Sequence, residues 1–182
     1  MKNTLYKVIL ITLLGLSITA CGDSEPQTQN NVPIEPVKPV VSVSKFLYAA
    51  DNGNFAKIQK MISDAGDDLP NLINTQNSDG ETAILLATQG SYKMIVQELI
   101  NANANLDIQD EDGWTALMYA SRSGYYEVVK VLLDAGADFE LQNQSRKTAA
   151  ILAVGGNVKY MRIVKLIHFA EFKKLQAELG EK

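Results

Sequence analysis

The sequence predicts an all-α solenoid of about four helix-turn-helix units with short hairpin turns, carried at the end of a disordered tether. Three observations predict it. Thr82, Thr115 and Thr148 stand 33 residues apart, and Ala87, Ala120 and Ala153 keep the same step. Val128, Val129, Leu132 and Leu133 give the i, i+1, i+4, i+5 stripe of a helix buried along one face. Four of the five prolines, Pro26, Pro33, Pro36 and Pro39, lie ahead of the first unit.

The chain opens with Lys2 and Lys7, and from Val8 to Ile18 it is almost wholly apolar. That run suits a signal-peptide core and is too short for the ~20 apolar residues of a membrane-spanning helix. It ends in Ile18-Thr19-Ala20-Cys21, and Cys21 is the only cysteine. A single cysteine cannot form an internal disulfide. These four residues resemble the lipobox of bacterial lipoproteins. The resemblance implies cleavage of residues 1–20, a diacylglyceryl thioether on the Cys21 sulfur and an acyl group on its new amine. Two acyl chains anchor a protein stably where one does so only marginally. Gly22 in place of an aspartate implies the outer membrane rather than the inner, with the protein facing the periplasm. The other reading is an ordinary cleaved signal peptide with Cys21 as a spare thiol, although an exported protein gains little from an unpaired reactive one.

Residues 21–43 read as the lipidated cysteine and a flexible linker. The prolines and "QTQNN" offer neither a core nor a helix. Proline-rich chain runs extended at ~3.1 Å per residue, so about 20 residues reach on the order of 60 Å.

The repeated units occupy 44–182. "DGETAILLATQGSYKMIVQELINANANLDIQ" from Asp79, "DGWTALMYASRSGYYEVVKVLLDAGADFELQ" from Asp112 and "SRKTAAILAVGGNVKYMRIVKLI" from Ser145 align on the 33-residue step. The pattern resembles the ankyrin repeat. The unit around Thr115 matches it most fully: Gly113, Thr115, Leu117, Ala120, Gly124, the stripe from Val128 to Leu133, and Gly136-Ala137-Asp138. A weaker first unit, "SKFLYAADNGNFAKIQKMI", puts Ser44 at the threonine position and joins the next through the long loop "SDAGDDLPNLINTQN". The boundaries fall at about 44–77, 78–110, 111–143 and 144–170, with a C-terminal cap helix to about 179.

Each repeated residue type has a physical task. The threonine oxygen can accept from free N–H groups at a helix start. The alanines let two helices approach. Gly53 and Gly124 suit a left-handed turn between helices, with Asn157 at the matching place in the last unit, and Gly136 caps a helix. This sequence departs from the family pattern in several places. Ala83, Ala116 and Ala149 stand where proline follows the threonine, and Leu85, Met118 and Ile151 replace a histidine. Arg146 replaces the last turn glycine, and the last unit carries two extra residues. Terminal units of a solenoid must hide or lack an apolar outer side. Phe169, Phe172, Leu175 and Leu179, at helical spacing between charges, read as that cap.

No catalytic constellation emerges. His168 is the only histidine and has no second metal-ligating partner in sequence. There is no glycine-rich phosphate loop. "DIQDEDG" fails as a calcium loop, because a loop with its glycine at Gly113 would begin at Ile108. Neither metal nor cofactor is expected.

The formal charge of −4 becomes −6 without Lys2 and Lys7. Asp51 to Glu140 holds fifteen acids and five bases, whereas Arg146 to Lys174 holds seven bases and one acid, Glu171. Nucleic-acid binding calls for a broad basic surface and is not expected. Such a gradient either keeps the array soluble or complements a charged partner.

The resemblance implies a non-enzymatic protein-binding module on the membrane: an adaptor, an immunity-type inhibitor or a stabiliser of a partner protein. No small-molecule substrate is expected. Carried over by position, the contact residues are Ser78, Asp79, Glu81 and Gln89 in the second unit. In the third they are Asp110, Glu111, Trp114, Arg122 and Ser123, and in the last Gln144, Lys147 and Gly155. Trp114 is the only tryptophan; it either points outward as a binding hot spot or folds back over its own unit. Two other functions remain open. One is a structural envelope lipoprotein without a dedicated partner. The other is a hydrolase, which would show two close carboxylates in a pocket.

Overall fold

A computed structural model describes residues 43–153 and 158–180. Cys21, the tether, Gly155 and Asn157 lie outside the described residues. Among the described residues every regular element is helical.

The first unit is α1 (Val43–Asp51) and α2 (Phe55–Ala65), followed by a 3₁₀ turn at Gly66–Asp68 and the short α3 (Leu69–Ile73). The second is α4 (Ala83–Gln89) and α5 (Lys93–Asn101), and the third α6 (Ala116–Ser123) and α7 (Tyr126–Asp134). The last is α8 (Ala149–Leu152) and the long α9 (Val158–Gly180). Inner helices α1, α4, α6 and α8 stack in one layer, and outer helices α2, α5, α7 and α9 in another. The core runs continuously between the layers, from Phe46 to Ile167.

The repeated residues do what their chemistry requires. Thr82, Thr115 and Thr148 cap α4, α6 and α8, accepting from the N–H three residues on at 3.5, 3.3 and 3.5 Å. Ala87, Ala120 and Ala153 are buried where inner and outer helices meet. Ala83, Ala116 and Ala149 are buried too. Gly53 and Gly124 are left-handed, with φ of +69° and +70°, and Ser91 takes the same conformation at +57° in the unit between. Ile163 and Ile167 take the buried places of Val128 and Leu132, 35 residues on in each case.

The hairpin turns form their own ladder. Asn77 Oδ1 accepts from the N–H groups of Asp79 and Glu81 at 3.0 and 2.8 Å. Asp110 does so for Asp112 and Trp114 at 3.0 and 2.8 Å, and Asn143 for Ser145 and Lys147, both at 3.0 Å. Successive turns are joined by Glu111 N–H to Asp79 O and Gln144 N–H to Asp112 O, both 3.1 Å. Gln109 Nε2 spans the gap as well, donating to Gly113 O at 2.6 Å and to Gln142 O at 2.9 Å.

The structure corrects three expectations. Ser44 lies inside α1 rather than ahead of it, so it does not act as the cap that Thr82 is. The long loop contains α3, whose start is favoured by Pro70 in its first turn. The C-terminal helix reaches Gly180, as its spacing implies, but the apolar residues expected to be covered there are not buried. Phe169, Phe172, Leu175 and Leu179 are all exposed, as is every residue from Phe172 to Gly180, although Lys174 reaches back to Glu140 and the Phe139 ring. Spacing reveals a helix but not what covers its face.

Candidate protein-binding surface

The 33-residue step puts equivalent turn residues side by side. Glu81, Trp114 and Lys147 form one row, running acid, indole, base; Ser78, Glu111 and Gln144 form a second, exposed at the turn tips. Gln89 and Arg122 continue the surface onto the ends of α4 and α6. Ser78, Asp79, Glu111, Arg122, Gln144 and Lys147 are exposed, while Glu81, Gln89, Asp110, Trp114 and Ser123 are partly buried.

Several of these residues have roles inside the array as well. Gln144 Nε2 donates to Glu111 O. The Ser123 carbonyl accepts from Lys159 Nζ at 3.1 Å.

Trp114 folds back over its own unit. Its ring centroid lies 5.0 Å from that of Tyr119 at a 36° tilt, and the Arg122 guanidinium covers it at 5.1 Å. The indole is packed against the core and partly buried. Arg122 and the aromatic pair form a preordered platform, because a guanidinium over a tryptophan face is held electrostatically.

The carboxylates beside this platform are held by donors of the chain itself. Glu81 accepts from Gln89 Nε2 at 2.8 Å and from Asn77 Nδ2 at 2.9 Å. Asp110 accepts the Tyr119 hydroxyl at 2.7 Å on the oxygen that its turn leaves free. Sequence reading singled out Asp110 and Trp114 but missed Tyr119, which joins them. It also missed Tyr48, which with Asp51, Glu81, Leu86 and Gln89 borders an open hollow on the first two units. The only sequence signal for Tyr119 is its place 33 residues after Leu86, on the inner helix.

Burial, and then the hydrogen bond to Asp110, push the Tyr119 hydroxyl well above the ordinary phenol range. It therefore stays a donor at neutral pH. A tyrosine in the unfolded chain titrates near ~10. The folded state holds this proton more tightly, so the contribution is full below about pH 10 and is lost as pH rises through the folded value. Tyr119→Phe removes that dependence. Thermal midpoints measured at about pH 9 and about pH 11 are expected to fall further in wild type than in Tyr119→Phe.

Chemically, the surface offers turn-tip hydrogen-bonding groups, one aromatic platform and a charge gradient. His168 is exposed on α9. Among the described residues no cluster of histidine, cysteine and carboxylates has a metal-site arrangement. Nor is any described helix long and apolar enough to cross a membrane.

Comparison with protein families matches residues 46–143 to the model for ankyrin repeats (3 copies). The match spans the first three units. A search of curated proteins gives no match.

Proposed function

Because the chain belongs to the ankyrin-repeat family, whose repeats are protein–protein interaction modules, we propose that it is a lipid-anchored, non-enzymatic binder of one protein partner in the periplasm. The observation that carries the reading is the ordered platform of Trp114, Tyr119 and Arg122. It stands in the row that runs from Glu81 to Lys147. Buried or half-buried aromatics and arginines dominate the energetics of interfaces. Here both are held in place before a partner arrives, which lowers the ordering cost of binding. The charge gradient sets orientation: a partner with a basic patch over units one to three and an acidic patch at the fourth is steered into register.

The anchor is the lipobox at Ile18-Thr19-Ala20-Cys21. Gly22 favours the outer membrane, and the tether lets the array stand off the bilayer. The partner would be held, inhibited or stabilised at the membrane surface. A structural envelope protein without a dedicated partner would not need an aromatic platform on its turn face.

The test is chemical crosslinking of the tagged full chain in intact cells. One dominant adduct is expected; no adduct above background sinks the adaptor reading. The anchor is tested separately. Cys21→Ser is expected to abolish incorporation of labelled palmitate and of the mature, shortened form. Unchanged labelling would exclude Cys21 as the lipid site.

A further inference from the structure

The open hollow on the first two units lies where α1 meets α4 and the turn that leads into it. Its volume is about 300 Å³, room for one long side chain. Leu47 and Leu86, 7 % and 8 % exposed, bring apolar surface to it. Tyr48 stands at its border 65 % exposed, although its equivalent in the next unit, Leu86, is covered. Asp51 and Glu81 supply two carboxylates. Glu81 is partly buried, and its two oxygens accept from neutral amides, Gln89 Nε2 at 2.8 Å and Asn77 Nδ2 at 2.9 Å. Those bonds orient the carboxylate without neutralising it, and each oxygen keeps a second lone pair for another donor.

The charge at the hollow has one sign: no base lines it among the described residues. Lys57, Lys60, Lys93 and Lys130 stand on the outer helices, where the last three pair with Asp64, Glu127 and Asp134 at 2.8–3.5 Å. Arg122 covers Trp114 in the third unit. Lys45 takes the place of Ala83, Ala116 and Ala149, which are buried even in the last unit and so face the unit before. Lys45 therefore points out of the open start of the array. Tyr119 in the third unit registers the same sign. Burial comes first in raising its pKa, then Asp110, and the charge of Glu81 adds to both.

We propose that this hollow receives a basic side chain of the partner protein, a lysine or an arginine, with its methylenes on Leu47 and Leu86, its cation beside the Tyr48 ring and its N–H groups on Asp51 and Glu81. The proposal rests on the partner-binding reading above and gives it a specific contact. Chemistry selects this occupant. An acidic or phosphorylated group would be repelled. A metal ion has no cluster of ligands to hold it among the described residues. A basic side chain uses all three features at once: an apolar stem, a positive head that an aromatic face attracts, and donors for carboxylates. The hollow lies at the acid end of the row that runs from Glu81 to Lys147, so the partner's basic group enters at units one and two and fixes its direction along the array.

The test titrates the full chain, held in a zwitterionic detergent, with three end-blocked tripeptides while amide chemical shifts are followed. The probes are glycyl-arginyl-glycine, glycyl-lysyl-glycine and, as the uncharged control, glycyl-glutaminyl-glycine. A basic tripeptide is expected to shift Tyr48, Asp51, Glu81 and Leu86, to bind about fivefold or more tighter than the control, and to weaken with salt. The stronger of the two basic probes names the partner's residue. Asp51→Asn and Tyr48→Ala are each expected to weaken it about threefold with the thermal midpoint unchanged, since both residues are exposed. Equal binding of the control overturns the proposal. So do shifts confined to the outer helices, or an affinity that Asp51→Asn leaves unmoved. Crosslinking in cells separates this result from the wider reading. If the basic tripeptides fail while the turn face still yields its adduct, the hollow is not the contact and the partner reading stands. If they bind while no adduct forms, the hollow takes a cation that no protein supplies, and the proposal falls with that reading.

Discussion

Gly80→Ala is expected to lower folding stability by about 2–4 kcal/mol, more than any exposed substitution in the turns. Gly80 has φ +77°, and a Cβ there would lie 2.8 Å from the backbone nitrogen of Glu111 in the next turn. That nitrogen is fixed by its bond to Asp79 O, so the neighbour cannot give way without breaking the ladder. Gly113 is in the same position against Gln144 N, at 3.0 Å. Arg146 is the control that the chain itself provides. It takes the same left-handed conformation, φ +56°, but no further turn follows it among the described residues. Only the backbone cost remains there, and Arg146→Gly is expected to gain about 1 kcal/mol. Urea denaturation of the three chains decides the matter. A Gly80→Ala loss below about 1 kcal/mol would mean that the turns are not held in close register. In repeat arrays the slope of each transition must be compared too, since local loss of cooperativity changes it.

Trp114→Ala is expected to weaken partner binding at least tenfold, about 1.4 kcal/mol. The partly buried indole is the largest preordered group on the turn face. It also packs against the core and Tyr119, so some stability is lost with it. Arg122→Ala separates the two effects: it strips the guanidinium from the platform and leaves the indole packed. Arg122 is exposed, so its loss should leave the thermal midpoint nearly unchanged while affinity falls. If Trp114→Ala weakens binding and Arg122→Ala does not, the indole acts alone. If neither does, the platform is not the contact.

Much of the fold was legible because the determinants repeat. Thr82, Thr115 and Thr148 announce helix starts by chemistry and by spacing at once. Ala87, Ala120 and Ala153 mark where helices touch, and the Val128–Leu133 stripe names the buried side of an outer helix. The first unit was harder. Ser44 sits at the correct step from Ala49 and Gly53, yet α1 starts before it, since one serine does not dictate a helix start when the preceding residues can also be helical. The short α3 was hidden in a loop of turn-forming residues, with Pro70 as its one signal.

The candidate site was legible as a set of positions and not as an arrangement. Glu81, Trp114 and Lys147 are equivalent by count, but three different side chains meet three different surroundings. The fate of Trp114 depends on Tyr119 and Arg122, five and eight residues on, and on rotamers that spacing does not determine. The carboxylates show the same limit. Glu81 and Asp110 read as free contact groups, and they prove to be engaged by Gln89, Asn77 and Tyr119. The exposed stripe on α9 was misread for a related reason: its apolar residues mark a helix face, and only packing shows whether that face is covered.

The most direct measurement places a photo-crosslinking amino acid in the full chain inside cells, one position at a time. Ser78, Glu111 and Arg122 sample the turn face, and Gln97 and Lys130 sample the outer helices α5 and α7. The expected result is one and the same protein adduct from the three turn-face positions and none from the outer helices. Adducts from Gln97 or Lys130 alone, or from no position, would contradict the proposal that the turn face binds a partner.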